Sequence, residues 1–361
     1  MKVLIAGGGT GGHLFPGIAL AESFLEKDPA NRVQFVSTRR AVDQEVLTAR
    51  GFPAVTIEAE GVKGKGVIRQ MQSLLKLPGA LKQSLDIIRG FNPQLVIGVG
   101  GYISGPVVLS AWLRGLPTAI QEQNSIPGLT NRLLARVVDR IFLAFERARD
   151  FFPARKCRLY GNPVRKELRR ALETLGGTAG PLNILVLGGS QGAHRINQLL
   201  VESLKFLVPL KRDLFFIHQT GTKDEEWVRQ AYRDQGFNQQ VAPFIHDMAE
   251  VYGRAHMLIC RAGAMTLAEI TALGKASLLI PFPFAANNHQ EENARALVQA
   301  GAAEMIREAD LTAEALGERL RFWVENPRHR EQLASRAFLL GRWQASQEIV
   351  ESCYRLVEQP L

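Results

Sequence analysis

Apolar residues in this chain fall into short unbroken runs, separated by longer stretches in which they recur every three or four positions. In the first half the runs are Lys2–Ala6, Val33–Ser37, Ala54–Ile57, Leu95–Gly98, Thr118–Gln121 and Arg140–Leu143. Such runs predict strands covered on both faces. The stretches between them predict helices, for example over Gly17–Lys27 and Asn131–Val138. The second half repeats the scheme, with strands near Asn183–Leu187, Leu214–Gln219, Gln240–Pro243, Met257–Cys260 and Ser277–Pro281. Strands alternating with helices predict a parallel sheet in each half. Gly161-Asn162-Pro163 interrupts the pattern and is the expected join. A last helical stretch runs from Pro327 to Glu358 and carries Trp343 and Tyr354.

Two of these strands run into the same glycine-rich turn. Ala6-Gly7-Gly8-Gly9-Thr10-Gly11-Gly12-His13 follows the first strand, and Leu187-Gly188-Gly189-Ser190-Gln191-Gly192-Ala193-His194 follows its counterpart in the second half. A strand, a glycine turn and a helix amino terminus in succession make a phosphate site, because backbone N–H groups and the helix dipole converge on one spot. Two such units predict two similar doubly wound lobes facing a cleft, with a ligand at the carboxyl ends of the strands.

A length of 361 residues suits two domains of ordinary size. The composition, 46% hydrophobic and 22% charged, is that of a globular chain. The first apolar run stops at Gly7, so it reads as a buried strand and not a signal peptide, and no run is long enough to span a bilayer. Cys157, Cys260 and Cys353 form neither a disulfide framework nor a metal-binding spacing, which suggests a reducing compartment. The net charge of +9 points to an anionic partner. Much of it sits between Gly61 and Gly90, where Lys63, Lys65, Arg69, Lys76, Lys82 and Arg89 face only Asp86 and interleave with Val67, Ile68, Leu74 and Leu75. The segment has no aromatic residue for base stacking, so an anionic membrane fits it better than nucleic acid. A helix packed on the core with solvated lysines fits it as well.

Each motif also has a plainer reading. Gly7-Gly8-Gly9-Thr10-Gly11-Gly12 satisfies the dinucleotide pattern, but the second strand runs into Thr38-Arg39-Arg40 without the acid an NAD site needs. Gly188-Gly189-Ser190-Gln191-Gly192 satisfies the nucleophile-elbow pattern; because Gly9 holds the register of Ser190, a shared backbone shape explains the turn better than a nucleophile does. In Arg261-Ala262-Gly263-Ala264-Met265-Thr266-Leu267-Ala268-Glu269, Thr266 and Glu269 have capping-box spacing, while Glu269 could instead accept two vicinal ribose hydroxyls. The amides of Asn287-Asn288-His289-Gln290 could bind a sugar, and Gln121-Glu122-Gln123-Asn124 follows a strand end, where such folds place functional groups. The histidines lack ligand spacing and there is no D-x-D pair, so no metal or other cofactor is expected. Leaving-group stabilisation then falls to backbone dipoles and basic residues.

Taken in order, these segments resemble a known family. Gly8-Gly9-Thr10-Gly11-Gly12-His13 with Pro16-Gly17, Gly100-Gly101-Tyr102-Ile103-Ser104-Gly105-Pro106, Glu122-Gln123-Asn124, Gly128-Leu129-Thr130-Asn131, Gly161-Asn162-Pro163-Val164-Arg165, Gly188-Gly189-Ser190-Gln191-Gly192-Ala193, Arg261-Ala262-Gly263-Ala264 and His289-Gln290 match the bacterial GlcNAc transferases that convert lipid I to lipid II in peptidoglycan synthesis. The family often has His before Glu-Gln-Asn, where this chain has Gln121. The resemblance implies an α/β protein of GT-B fold. Residues 1–162 would form an acceptor- and membrane-binding domain and 163–338 a UDP-GlcNAc-binding domain, with 339–361 a helix returning to the first.

By the same resemblance Ser190 would contact the donor diphosphate, the backbone at Ile245 the uracil and Glu269 the ribose. Gln290 and Asn124 would hold the GlcNAc, and Arg165, Ala264, Met265, Thr266, Leu267 and Ala268 would complete that site. Thr10, Gly11, Gly12, Tyr102 and Asn131 would face the acceptor diphosphate. The implied partners are UDP-GlcNAc, the undecaprenyl-diphosphate-linked MurNAc-pentapeptide (lipid I), an anionic membrane surface and other cell-wall and division proteins, with no nucleic acid. The implied place is the cytoplasmic face of the bacterial inner membrane, docked through Lys65, Arg69, Leu74, Leu75, Lys76 and Trp112. The reaction would invert the anomeric centre by direct displacement and needs a base. His13 is the first candidate, because a helix amino terminus disfavours an imidazolium; Glu122 is the second. A UDP-GlcNAc epimerase and a non-catalytic nucleotide-sugar sensor are the alternative readings.

Overall fold

In the computed structural model the chain forms two compact units, Met1–Arg165 with Trp343–Leu361, and Lys166–Arg342. The structure describes residues 1–9, 11–58, 77–173, 180–189 and 192–359.

The first unit holds a seven-stranded sheet: β1 (Lys2–Ala6), β2 (Arg32–Ser37), β3 (Ala54–Thr56), β4 (Leu95–Gly98), β5 (Thr118–Glu122), β6 (Arg140–Leu143) and β7 (Cys157–Leu159). Its order is β3-β2-β1-β4-β5-β6-β7, and every pairing is parallel. Alternate β1 side chains feed opposite faces. Val3 and Ile5 pack with Phe24 and Phe35 on one side, while Leu4 and Ala6 pack with Val96 and Ile120 on the other. That is why β1 reads as an unbroken apolar run. Among the described residues its helices include α1 (Gly11–Lys27), α2 (Ala41–Ala49), α3 (Leu77–Phe91), α4 (Ser104–Leu113) and α5 (Leu129–Leu134). The expected helix at Gly17 begins six residues earlier, at Gly11, so His13 lies in its first turn.

The second unit repeats the plan with β8 (Leu182–Leu187), β9 (Leu214–Gln219), β10 (Asn238–Ala242), β11 (Met257–Cys260), β12 (Ala276–Leu279) and β13 (Glu304–Met305). The order is β10-β9-β8-β11-β12-β13, again all parallel. Its helices include α6 (His194–Ser203), α7 (Glu225–Gln235), α8 (Met248–Arg254), α9 (Ala264–Leu273), α10 (His289–Gln299), α11 (Ala313–Glu325) and α12 (Pro327–Leu339). The strand order reverses between β1 and β4 in one sheet and between β8 and β11 in the other. Doubly wound sheets bind ligands at that reversal.

The stretch expected to be helical from Pro327 to Glu358 holds two helices. After α12 the chain passes so close to α9 that a side chain at Gly341 would lie 2.8 Å from the Thr271 carbonyl. It then forms α13 (Ala345–Glu358), which packs on α1 in the first unit. Ile349, Val350 and Leu356 enter the core around Phe24, each contributing about 1.5–3 kcal/mol. Tyr354 reaches Asn31 from the same helix, its hydroxyl 3.0 Å from Asn31 Oδ1.

Among the described residues no helix is long and apolar enough to cross a membrane.

Candidate functional site

The turn after β1 depends on glycine. Gly8 and Gly9 have φ of +145° and +87°, and a Cβ at Gly7 would lie 2.3 Å from Val99 Cγ2. A second turn, Gly100-Gly101, follows β4. A Cβ at Gly101 would lie 2.9 Å from the Gly8 carbonyl, so the two turns meet backbone to backbone at the reversal of the sheet. Ser104 Oγ bridges them, 2.7 Å from the Ala6 carbonyl and 2.8 Å from that of Gly100. The acid missing after β2 comes instead from α2. Asp43 accepts the Gly9 N–H at 2.7 Å and the Thr38 hydroxyl at 2.6 Å, and the Arg40 guanidinium donates to the Gly9 carbonyl. The carboxylate therefore holds the turn itself.

Gly11 and Gly12 are exposed at the start of α1, and Tyr102 lies beside Gly9. The His13 ring sits against the second turn. Its Nδ1 is 3.2 Å from Gln123 Oε1, and a Cβ at Gly100 would come within 2.5 Å of that nitrogen. The Arg165 guanidinium stacks 5.2 Å above the Phe15 ring.

Glu122 ends β5 with 2% of its surface exposed. Its oxygens accept the Asn124 N–H at 3.0 Å, the Gly128 N–H at 3.2 Å and the Asn131 side-chain amide at 2.9 Å. Burial raises its pKa, while these N–H donors oppose the rise. The carboxyl thus ties both ends of the 123–131 loop together. Asn131 is buried with it and also donates to the Gln121 carbonyl at 3.2 Å.

In the second unit the turn after β8 is equally constrained. Gly189 and Gly192 have φ of +86° and +76°, and a Cβ at Gly192 would overlap the Thr220 carbonyl at 2.1 Å. Gln219 couples this turn to Ile245, donating to the Gly189 carbonyl at 2.9 Å and accepting the Ile245 N–H at 2.9 Å. After β11, Gly263 precedes α9 in an extended conformation (φ −65°, ψ 136°). Thr266 lies inside the first turn, so no capping box forms. Glu269 instead accepts the Tyr252 hydroxyl at 2.9 Å. Ala264 and Leu267 are buried; Met265, Thr266 and Ala268 are partly exposed. Gln290 Oε1 accepts the Phe282 N–H at 2.9 Å, after Asn287 and Asn288, both left-handed at φ +57° and +55°. Among the described residues no cluster of three or more His, Cys, Asp or Glu side chains is placed to share a cation.

Each unit therefore gathers its own share of the expected residues. His13, Tyr102, Glu122, Asn124, Asn131 and Arg165 lie in the first, and Ile245, the 264–269 segment and Gln290 in the second. Thr10, Ser190, Lys65, Arg69, Leu74, Leu75 and Lys76 lie outside the described residues.

Residues 3–143 match the glycosyltransferase family 28 N-terminal domain, and residues 183–349 match the family's C-terminal domain. The chain belongs to glycosyltransferase family 28. A curated relative from Syntrophus aciditrophicus (strain SB), the UDP-N-acetylglucosamine–N-acetylmuramyl-(pentapeptide) pyrophosphoryl-undecaprenol N-acetylglucosamine transferase, is 50% identical over 357 residues, 99% of each chain. The crystal structure of Acinetobacter baumannii MurG superposes with a TM-score of 0.80 at 32% identity, over 98% of this chain and 99% of that one. The Neisseria meningitidis UDP-GlcNAc 2-epimerase bound to UDP-GlcNAc reaches a TM-score of 0.70 at 18% identity, over 98% and 100%, and shares the fold alone. The fold of this family 28 chain is accordingly GT-B, with two Rossmann-like parallel-sheet domains.

The sequence does not single out Asp43, Gln219 or Tyr252, and it shows Asn162 only as part of a motif. Asn162 had a visible signal, its place in Gly161-Asn162-Pro163, but that segment reads first as a break between domains. Asp43, Gln219 and Tyr252 act through partners distant in sequence and carried no local signal.

Proposed function

We propose that this chain transfers GlcNAc from UDP-GlcNAc to the 4-hydroxyl of MurNAc on undecaprenyl-diphosphate-linked MurNAc-pentapeptide. The observation that carries the reading is the 50% identity, across 99% of both chains, to a transferase named for that reaction. Direct displacement accounts for every atom. The acceptor oxygen bonds to the anomeric carbon as the bond from that carbon to the β-phosphate oxygen breaks. The bonding pair leaves with UDP, and the hydroxyl proton passes to a base.

His13 is that base in our reading. It stands in the first turn of α1 beside the glycine turn, and we assign the acceptor diphosphate to that turn with Thr10, Gly11, Gly12 and Tyr102. Glu122 is less suited, since both its oxygens are committed to N–H donors of its own loop. We assign UDP-GlcNAc to the second unit. Ser190 and the turn around it take the diphosphate, and Glu269, oriented by Tyr252, takes the ribose. The Ile245 N–H is engaged by Gln219, so the uracil N3–H meets the carbonyl at that position. Gln290 contacts the sugar. Ala264, Met265, Thr266, Leu267 and Ala268 are assigned to the remainder, and Arg165 and Asn124 are also assigned to the donor. N–H groups and helix dipoles stabilise the departing diphosphate.

A polyprenyl acceptor stays in the bilayer, so the enzyme must come to the membrane surface. We assign this contact to the first unit. Trp112 (42% exposed) and Leu113 end α4, and Leu129 and Leu133 are exposed on the adjoining α5. Arg114 and Arg132 flank them, and Lys65, Arg69, Leu74, Leu75 and Lys76 extend the proposed face in sequence.

Incubation with radiolabelled UDP-GlcNAc and a lipid I analogue tests the reaction, and a labelled disaccharide lipid is expected. Turnover of UDP-GlcNAc without acceptor would instead indicate an epimerase. His13→Ala should lower kcat by about 100- to 10,000-fold, the usual worth of a general base, with UDP-GlcNAc affinity retained.

A further inference from the structure

A histidine acts as a base only through the nitrogen that lacks the proton, and the partner of the other nitrogen decides which one that is. In the first unit four buried or half-buried side chains are linked in series, and a backbone carbonyl orients the first and the last of its three amides. Asn162 Nδ2 lies 3.1 Å from the Gln123 carbonyl. A backbone carbonyl only accepts, so the Asn162 amide is fixed with Oδ1 turned toward Gln121, whose Nε2 donates to it at 2.7 Å. Gln121 Oε1 is thereby left to accept from Gln123 Nε2. Gln123 Nε2 also donates to the Val99 carbonyl at 2.8 Å, which independently fixes the same orientation. Gln123 Oε1 then faces His13 Nδ1 at 3.2 Å. Two acceptors cannot share one contact, so Nδ1 bears the hydrogen.

We infer that Asn162, Gln121 and Gln123 form an amide relay that holds neutral His13 as the Nδ1–H tautomer, so that its Nε2 carries the lone pair that receives the acceptor proton. The inference rests on the reading of His13 as the base. Gln121, Gln123 and Asn162 are 0%, 1% and 4% exposed. Reversing one amide would set donor against donor or acceptor against acceptor away from water, where an unmade hydrogen bond costs most. The relay also gives Gln121 a role: it passes the orientation fixed at Asn162 on to Gln123. These three are positioning residues, since none needs to touch substrate.

Long-range proton–nitrogen correlation spectra of the full chain carrying 15N-histidine test this directly. The chain has seven histidines, and the His13 signals are those lost in His13→Ala. The expected result is a protonated Nδ1 and an unprotonated Nε2 in the neutral ring. Gln123→Met removes the acceptor and should shift the ring toward Nε2–H, lowering kcat by about 100-fold, the lower edge of a general-base contribution. The KM for UDP-GlcNAc should stay the same. A neutral His13 found as Nε2–H in the unaltered chain overturns the relay whatever the kinetics. An Nδ1–H ring that switches in Gln123→Met while kcat holds supports the relay and removes His13 as the base. The unaltered chain is measured first, so poor folding of the variant does not shelter the proposal.

Discussion

Replacing Gly100 with alanine would push a methyl group into the His13 ring. The new Cβ would lie 2.5 Å from Nδ1 and 2.8 Å from Cε1, where non-bonded carbons settle at about 3.5–4.0 Å. The ring must therefore retreat by about 1 Å. Its contact with Gln123, 3.2 Å at present, then passes beyond hydrogen-bonding range. A misplacement of about that size costs roughly 100-fold in rate. The backbone adds a separate effect, because φ is +97° at Gly100 and alanine in the left-handed region costs about 1–2 kcal/mol. Gly51→Ala separates the two effects. Its φ is +74°, but an added Cβ there meets nothing within 4 Å. Both variants should lose thermal stability, by about 2–4 °C per kcal/mol for a domain of this size. Only Gly100→Ala should lose about two orders of magnitude in kcat, measured as initial rates with labelled UDP-GlcNAc and a lipid I analogue. If Gly100→Ala turns over as fast as Gly51→Ala, the placement of His13 is irrelevant to the chemistry and the reasoning fails.

Three further outcomes are expected. Tyr252→Phe deletes the 2.9 Å hydrogen bond to Glu269, worth about 1 kcal/mol; calorimetry should show UDP-GlcNAc binding weakened about fivefold, and unchanged affinity would dissociate Glu269 from the ribose. Burial raises the Glu122 pKa above its ordinary 4.5, so the folded chain holds a proton that the unfolded chain releases between those two values. Its contribution to stability is full below 4.5 and is lost as pH rises through the folded value. Denaturant titrations should show that loss flattened in Glu122→Gln, and an identical pH profile would refute it. Trp112→Glu with Leu113→Glu should reduce sedimentation with anionic liposomes while leaving UDP-GlcNAc affinity intact, and undiminished sedimentation would move the membrane face elsewhere.

The parts of the fold that could be read from sequence are those carried by continuous burial. β1, β8 and β11 lie deep in their sheets, so apart from Lys2 and Asn183 near the strand starts their residues are apolar on both faces and the runs stand out. The strands that escaped notice, β7 at Cys157–Leu159 and β13 at Glu304–Met305, sit at sheet edges and are too short to show a pattern. The apolar pattern alone does not mark the break after α12, because Gly341 answers to Thr271, a partner distant in sequence. The site divides in the same way. Turns that need glycine are visible because glycine has few substitutes at positive φ. The side chains that orient them are ordinary polar residues whose meaning lies in a remote partner: Asp43 on Gly9, Gln219 on Gly189 and Ile245, Asn162 on Gln121. The capping box at Thr266 and Glu269, one of two readings that the spacing offers, does not form for the opposite reason. A local signal existed, but Gly263 had already set the start of the helix.

Helix α13 completes a core that began at Lys2, with the whole second unit lying between them in sequence. A ribosome makes the strands of the first unit early but withholds Ile349, Val350 and Leu356 until the other sheet has emerged. The lobe begun first is therefore closed last, and its Phe24 cluster waits open through most of synthesis. Nicking the chain near Trp343 would strip a wall from the amino-terminal sheet, although the cut falls hundreds of residues from where that sheet starts.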